Sequence, residues 1–149
     1  MKLINYRVWG NNKSTIADYI VSIFTLGKYS HTEIVFSDNV SFSISPRENI
    51  ARFKSINYHN GSWDILEFKT SIEQERLMRA EAEKLVNEST QYDYAGALFS
   101  PLKLCIQKEE KIFCSEVCAY LLNKYNVFDL ENGCRYTPSR LFNIIKSKI

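Results

Sequence analysis

The stretch from His31 to Ile44 constrains the fold most. His31-Thr32-Glu33-Ile34-Val35-Phe36 is dense in β-branched and aromatic residues, Ser37-Asp38-Asn39 has turn composition, and Val40 to Ile44 resumes an extended pattern. This is a β-hairpin, and helical patterns flank it. Upstream, Lys2 to Trp9 alternates apolar and polar with one break and reads as a first strand ended by Gly10-Asn11-Asn12. Ile16, Tyr19, Ile20, Ile23 and Phe24 then recur at helical spacing, which predicts a helix over 14–26 with Ser14 as N-cap and Gly27 as the C′ stop. The stripe is expected to face the core.

Downstream, Ser45 to Asn49 is a loop around Pro46, and Ile50 to Ile56 and Trp63 to Phe68 read as strands. Thr70 or Ser71 caps a helix running to about Glu88, with Gln74 placed for a capping box and Met78, Ala82, Leu85 and Val86 inward. Tyr92 to Ser100 reads as a short helix stopped at Pro101, and Lys108-Glu109-Glu110-Lys111 as a charged surface segment. A helical pattern covers Cys114 to Tyr125, and another covers 138–147 after Thr137, with Pro138 at its first position. The order gives an α+β class. Five glycines and three prolines in 149 residues leave no linker, so residues 1–149 are expected to form one domain.

Charge and cysteine usage narrow the function. Nineteen Lys and Arg against 17 Asp and Glu give a net charge of +2, too balanced for nucleic acid as the main ligand. The first residues lack the cationic, apolar, small-residue order of a secretory signal. Ile16 to Leu26, the longest apolar stretch, is interrupted by Asp18 and too short to span a bilayer. A cytoplasmic location is expected. Cys105, Cys114, Cys118 and Cys134 fit no zinc spacing, and disulfides are the weaker reading without an export signal. No metal or other cofactor is implied.

Of two histidines, His59 lies in the turn-like Tyr58-His59-Asn60-Gly61 and reads as an exposed loop residue. His31 opens a strand, where a side chain can point into a cleft. Cys114 opens a helix, where unpaired N–H groups and the positive end of the dipole favour a thiolate and can hold an oxyanion. A nucleophilic cysteine needs such a field and an imidazole to take its proton. Cys118, one turn later, reads as structural.

Tyr29-Ser30-His31-Thr32-Glu33-Ile34-Val35-Phe36, then Tyr92-Asp93-Tyr94, then Ile112-Phe113-Cys114-Ser115-Glu116-Val117 together resemble the circularly permuted papain-like (NlpC/P60) hydrolases, in particular the YiiX-like and poxvirus-type branch. The likeness covers about residues 28–125, with histidine preceding cysteine. It implies a permuted papain-like α+β fold, with an antiparallel sheet packed against helices and the nucleophile at a helix N-terminus. It also implies cleavage or transfer of acyl groups at amide or ester bonds of peptide or lipid-like substrates. A viral or phage origin suits that branch. Carried over, Cys114 matches the nucleophile and His31 the general base. Relatives place a polar orienting residue about a dozen positions after the histidine. Here that position is Ser43, which supplies no carboxylate, and Ser45 shares its strand face.

Glu33 is the other candidate to orient the imidazole, since it shares the strand face of His31. Residues i and i+2 diverge by roughly 6.5–7 Å along a strand, so a direct hydrogen bond requires a bend. The alternative for Glu33 is an exposed strand carboxylate. Glu116 reads as a solvated first-turn acid, the alternatives being that it fixes the helix start or lines the cleft, and Tyr29 and Tyr94 read as residues shaping that cleft. A different class of function, a catalytically silent binding module with the same fold, draws support from Ser43. Contact of the 14–26 helix with a membrane surface is a third reading of its apolar stripe.

Overall fold

A computed structural model describes residues 1–99, 111–130 and 136–149. Its frame is a five-stranded antiparallel sheet of β1 (Lys2–Arg7), β2 (Tyr29–Val35), β3 (Ser41–Ile44), β4 (Ala51–Lys54) and β5 (Trp63–Glu67), in the order β4-β3-β2-β1-β5. The described helices are α1 (Ile16–Phe24), α2 (Ile72–Asn87), α3 (Tyr94–Phe99), α4 (Cys114–Lys124) and α5 (Pro138–Lys146). A parallel pair of short strands, β6 (Gln91–Tyr92) and β7 (Lys111–Ile112), ties the entry of α3 to the entry of α4. Periodicity gave no sign of this pair, because two residues are too few to show alternation. Pro101, Cys105, Cys134 and most of the Lys108–Lys111 segment lie outside the described residues.

Register sorts the sheet into two faces. Leu3 pairs with Ile34 and Leu66, Ile34 with Phe42, and Phe42 with Phe53, so these five share one side. That side meets α2, α4 and α5 and forms the main core with Met78, Val117, Leu121 and Leu141. On the opposite side lie His31, Glu33 and Val35 of β2, Ser41 and Ser43 of β3, and Arg52 of β4.

Local sequence sets the helix ends. Ser71 and Gln74 form a reciprocal capping box at α2, with Met78 and Ala82 fully buried and Leu85 and Val86 packed at the core edge. Thr137 caps α5 through the Arg140 N–H, with Pro138 at its first position. At α1 the cap is Thr15, not Ser14, because Asp18 three residues later completes a capping box with Thr15, while the Ser14 hydroxyl is taken up by the Val8 carbonyl. Its C-terminus also departs from expectation. Leu26 adopts the left-handed conformation at C′ (φ 49°), and Gly27 follows it, closing the helix with an N–H to the Ser22 carbonyl. Gly27 is required for another reason. A Cβ there would lie 2.1 Å from the Ser139 hydroxyl oxygen of α5.

The apolar stripe of α1 does not enter the core. Ile16 is 80% exposed, Ile23 58% and Ile20 49%, so the core-facing expectation is corrected. Polar anchors select the face that packs on the sheet instead. Ser22 is buried, accepts from Trp9 Nε1 at 2.9 Å and donates to the Gly27 carbonyl, while Asp18 accepts from Ser30 at 3.0 Å and pairs with Arg47 at 2.7 Å. These bonds hold α1 by its polar side and leave the apolar side outward.

Candidate active site

Glu33 lies on the face of His31 two positions along β2, and its Oε1 sits 3.0 Å from His31 Nε2. The β1–β2 register is unbroken from Glu33 to His31 and shifts only beyond it, between Tyr6 and Arg7, so the two side chains meet by leaning toward each other along the strand. Glu33 is buried, not an exposed strand carboxylate. Arg52 reaches it from β4 with two contacts, Nη2 to Oε1 at 2.8 Å and Nη1 to Oε2 at 3.4 Å, and also bonds Glu48 through Nε. Burial works to raise the Glu33 carboxyl, but His31 and Arg52 outweigh it and hold it down at about 2. A carboxylate so firmly ionised is an acceptor only, so His31 Nε2 donates to it.

That fixes the role of the other ring nitrogen. Nδ1 of His31 is buried and has no hydrogen-bond partner. The neighbour left for it is Cys114, the first residue of α4. Burial disfavours the imidazolium, yet the Cys114 thiol and then Glu33 raise the His31 pKa to about 9. Thiol and ring are therefore electrostatic partners without an aligned hydrogen bond, a looseness common in unliganded sites.

A split in the sheet brings them together. Ladder pairing of β2 with β3 is confined to Ile34–Phe42 and Val35–Ser41. Beyond it the Thr32 carbonyl is free to accept the Ser43 hydroxyl at 2.7 Å and the Cys118 thiol at 3.8 Å. The first turn of α4 abuts β2 there. Phe113 takes the N-cap position with extended backbone, and its N–H donates to Glu116 Oε2 at 3.4 Å. Glu116 thus secures the helix start from a buried position, not as a solvated acid. Cys118 is also buried, and burial pushes its thiol well up, as suits a structural cysteine.

A second group reaches Cys114. Tyr92, buried at the end of β6, is an electrostatic neighbour of the thiol, and burial above all drives its hydroxyl well above the usual tyrosine range. His31, Glu33 and Tyr92 face a groove of about 630 Å³ whose walls include Ile20 and Val21 of α1, Ile56, Trp63 and Tyr94. Cys114 is 1% exposed and stands behind the groove residues it contacts.

The remaining candidates divide. Ser45 and Tyr94 line the groove, the Tyr94 hydroxyl bracing the loop by donating to the Pro46 carbonyl at 2.6 Å. Ser43 is buried and spent on the Thr32 carbonyl, so it does not orient the ring. Tyr29 does not shape the groove; its side chain packs on Phe142 and donates to Asp64 at 2.6 Å. Its position before the ladder irregularity turns it to the helical side. His59 is exposed, as its turn composition implies. Sequence reasoning missed Arg52 and the contact of Tyr92 with the thiol. Arg52 was within reach of strand pairing alone, since Ser43 pairs with Arg52 and both share the face of Glu33.

The fold and site define an α+β domain with a buried Cys–His–Glu–Arg cluster beside an apolar groove. Comparison with protein-family models, curated proteins and solved structures gives no match. Among the described residues no helix is long and apolar enough to cross a membrane.

Proposed function

We propose that the protein is a cysteine hydrolase or acyltransferase of the permuted papain-like kind, acting at an amide or ester bond of a peptide or lipid-like substrate. One observation carries this reading: His31 gives one ring nitrogen to an ionised carboxylate and turns the other, unpartnered, toward a thiol at a helix N-terminus. A histidine serving only structure would have both nitrogens satisfied.

In the proposed reaction His31 Nδ1 holds the proton that Cys114 gives up, and the thiolate attacks the acyl carbon. The negative charge gathers on the carbonyl oxygen, held by N–H groups of the first turn of α4 and by the Tyr92 hydroxyl as the second donor. The carbon–nitrogen or carbon–oxygen bond then breaks, and the His31 proton passes to the leaving group. Water or an amine, deprotonated by His31, attacks the thioester and returns the thiol. Glu33 positions the ring and stabilises the imidazolium, and Arg52 positions Glu33. The apolar groove suits an uncharged acyl group.

The test is to incubate the protein with a panel of activated esters and locate acyl adducts by mass spectrometry of its peptides. The expected result is a hydroxylamine-labile thioester on Cys114, absent in His31→Gln. Turnover should decline as pH rises through about 9, where the imidazolium that protonates the leaving group is lost. Acylation confined to lysines or to Cys118 contradicts the proposal. It would favour the silent binding module, a reading supported by the near-complete burial of Cys114.

A further inference from the structure

The outward face of α1 is the largest feature that the proposed chemistry leaves unused. Ile16, Ile20 and Ile23 follow one another at i, i+4 and i+7, so they form one ridge, and all three are exposed. Leu26 extends it and is 88% exposed. Leu26 also sits at φ 49°, a conformation that favours glycine, so neither its backbone nor its side chain gains from the fold of the free chain. Trp9, 55% exposed, lies against the side of the helix, its ring edge-on to Tyr19 at 5.3 Å and its Nε1 donating to Ser22. An indole with its polar edge satisfied and its apolar body outward is suited to a boundary between water and hydrocarbon.

Charge says what kind of surface would cover the ridge. Lys13 precedes the helix and is exposed, and Lys28 follows its C-terminal end, where it and Arg7 share the carboxylate of Asp64. Asp18, the one acid on α1, is 12% exposed and neutralised by Arg47. The ridge therefore carries a net positive charge at each end, Lys13 at one and Lys28 with Arg7 over the single carboxylate of Asp64 at the other, and no free acid, which complements an anionic surface and would repel a second copy presenting the same charges. Ile20 belongs both to the ridge and to the groove wall, so the apolar strip runs without a break into the groove.

We propose that α1 and Trp9 seat the protein on an anionic phospholipid surface, with the α1 axis in the plane of the headgroups and the groove mouth beside it. This holds whether or not Cys114 reacts. Partitioning should depend on both parts of the ridge, apolar side chains for depth and Lys13 and Lys28 for attraction to charge.

The full chain is sedimented with vesicles of phosphatidylcholine alone and with vesicles in which about a third of the lipid is phosphatidylserine. The expected result is at least about tenfold stronger binding to the anionic vesicles, weakened by high salt. Ile16→Ser with Ile23→Ser should reduce that binding at least about tenfold while leaving the thermal unfolding transition in place. Cys114→Ala should bind as the native chain does, which separates this result from the fate of the proposed chemistry. Equal sedimentation of native and doubly substituted protein, or no binding to anionic vesicles, overturns the proposal. So does a native dimer that the same two substitutions dissociate, because a second copy would then be the occupant.

Discussion

Replacing Cys114 by alanine is expected to abolish acyl transfer, lowering turnover of any ester that acylates the native protein by roughly 10⁴-fold or more. The size follows from the chemistry. Without the sulfur no thioester forms, and what survives is the groove and the oxyanion donors acting on water alone. The same substitution should remove labelling by iodoacetamide at this position. Cys118→Ala, one turn along α4, should leave turnover within a few-fold of native, because the Cys118 thiol faces the Thr32 carbonyl and burial keeps it protonated. Steady-state rates of the two variants against a common ester decide the matter. Comparable losses in both would mean that α4 has been disturbed as a packing element and that neither sulfur is a nucleophile.

Glu33→Gln should have the largest effect on stability. Glutamine nearly preserves shape but removes the charge that faces both His31 and Arg52. Breaking a buried ion pair by deleting one partner costs about 3–5 kcal/mol, and Arg52 keeps Glu48, so the lower end is expected. Adding Arg52→Met should cost less than the two single changes together, since no unpaired guanidinium then remains. The pH dependence has a definite form. Glu33, at about 2 against an ordinary 4.5, contributes fully above 4.5 and loses its contribution as pH falls through 2. His31, at about 9 against 6.5, contributes fully below 6.5 and loses it as pH rises through 9. Native stability from this cluster is therefore greatest between 4.5 and 6.5, and Glu33→Gln should flatten the acid limb and shrink the alkaline one. Thermal unfolding across pH measures both. A change in stability below about 0.5 kcal/mol would mean the cluster is solvated in solution.

The elements were largely legible because their signals are local. β-Branched and aromatic residues marked β2 and β3, Thr137 and Pro138 marked the start of α5 to the residue, and Thr70 or Ser71 with Gln74 marked that of α2 to within one. Cys114 was legible at a helix start, whereas His31, expected to open a strand, is the third residue of β2, which begins at Tyr29. What escaped depends on register. A one-residue irregularity in the β1–β2 ladder just before His31 decides that Tyr29 turns away from the groove, and no composition rule reports it. Arg52 looked like any strand cation until its pairing with Ser43 put it over Glu33. The apolar stripe of α1 misled for a physical reason. Periodicity shows that a helix has two faces, while the buried bonds of Ser22 and Asp18 choose which one packs.

Everything proposed about chemistry requires that the Cys114 thiol and the His31 ring share a proton. Titration of the His31 ring nitrogens by NMR, in the native protein and in Cys114→Ala, addresses this directly. The native ring should titrate near 9 and fall toward the ordinary 6.5 when the sulfur is removed, with Glu33 still in place. A ring that titrates at the same pH in both proteins would contradict the couple and the reaction built on it.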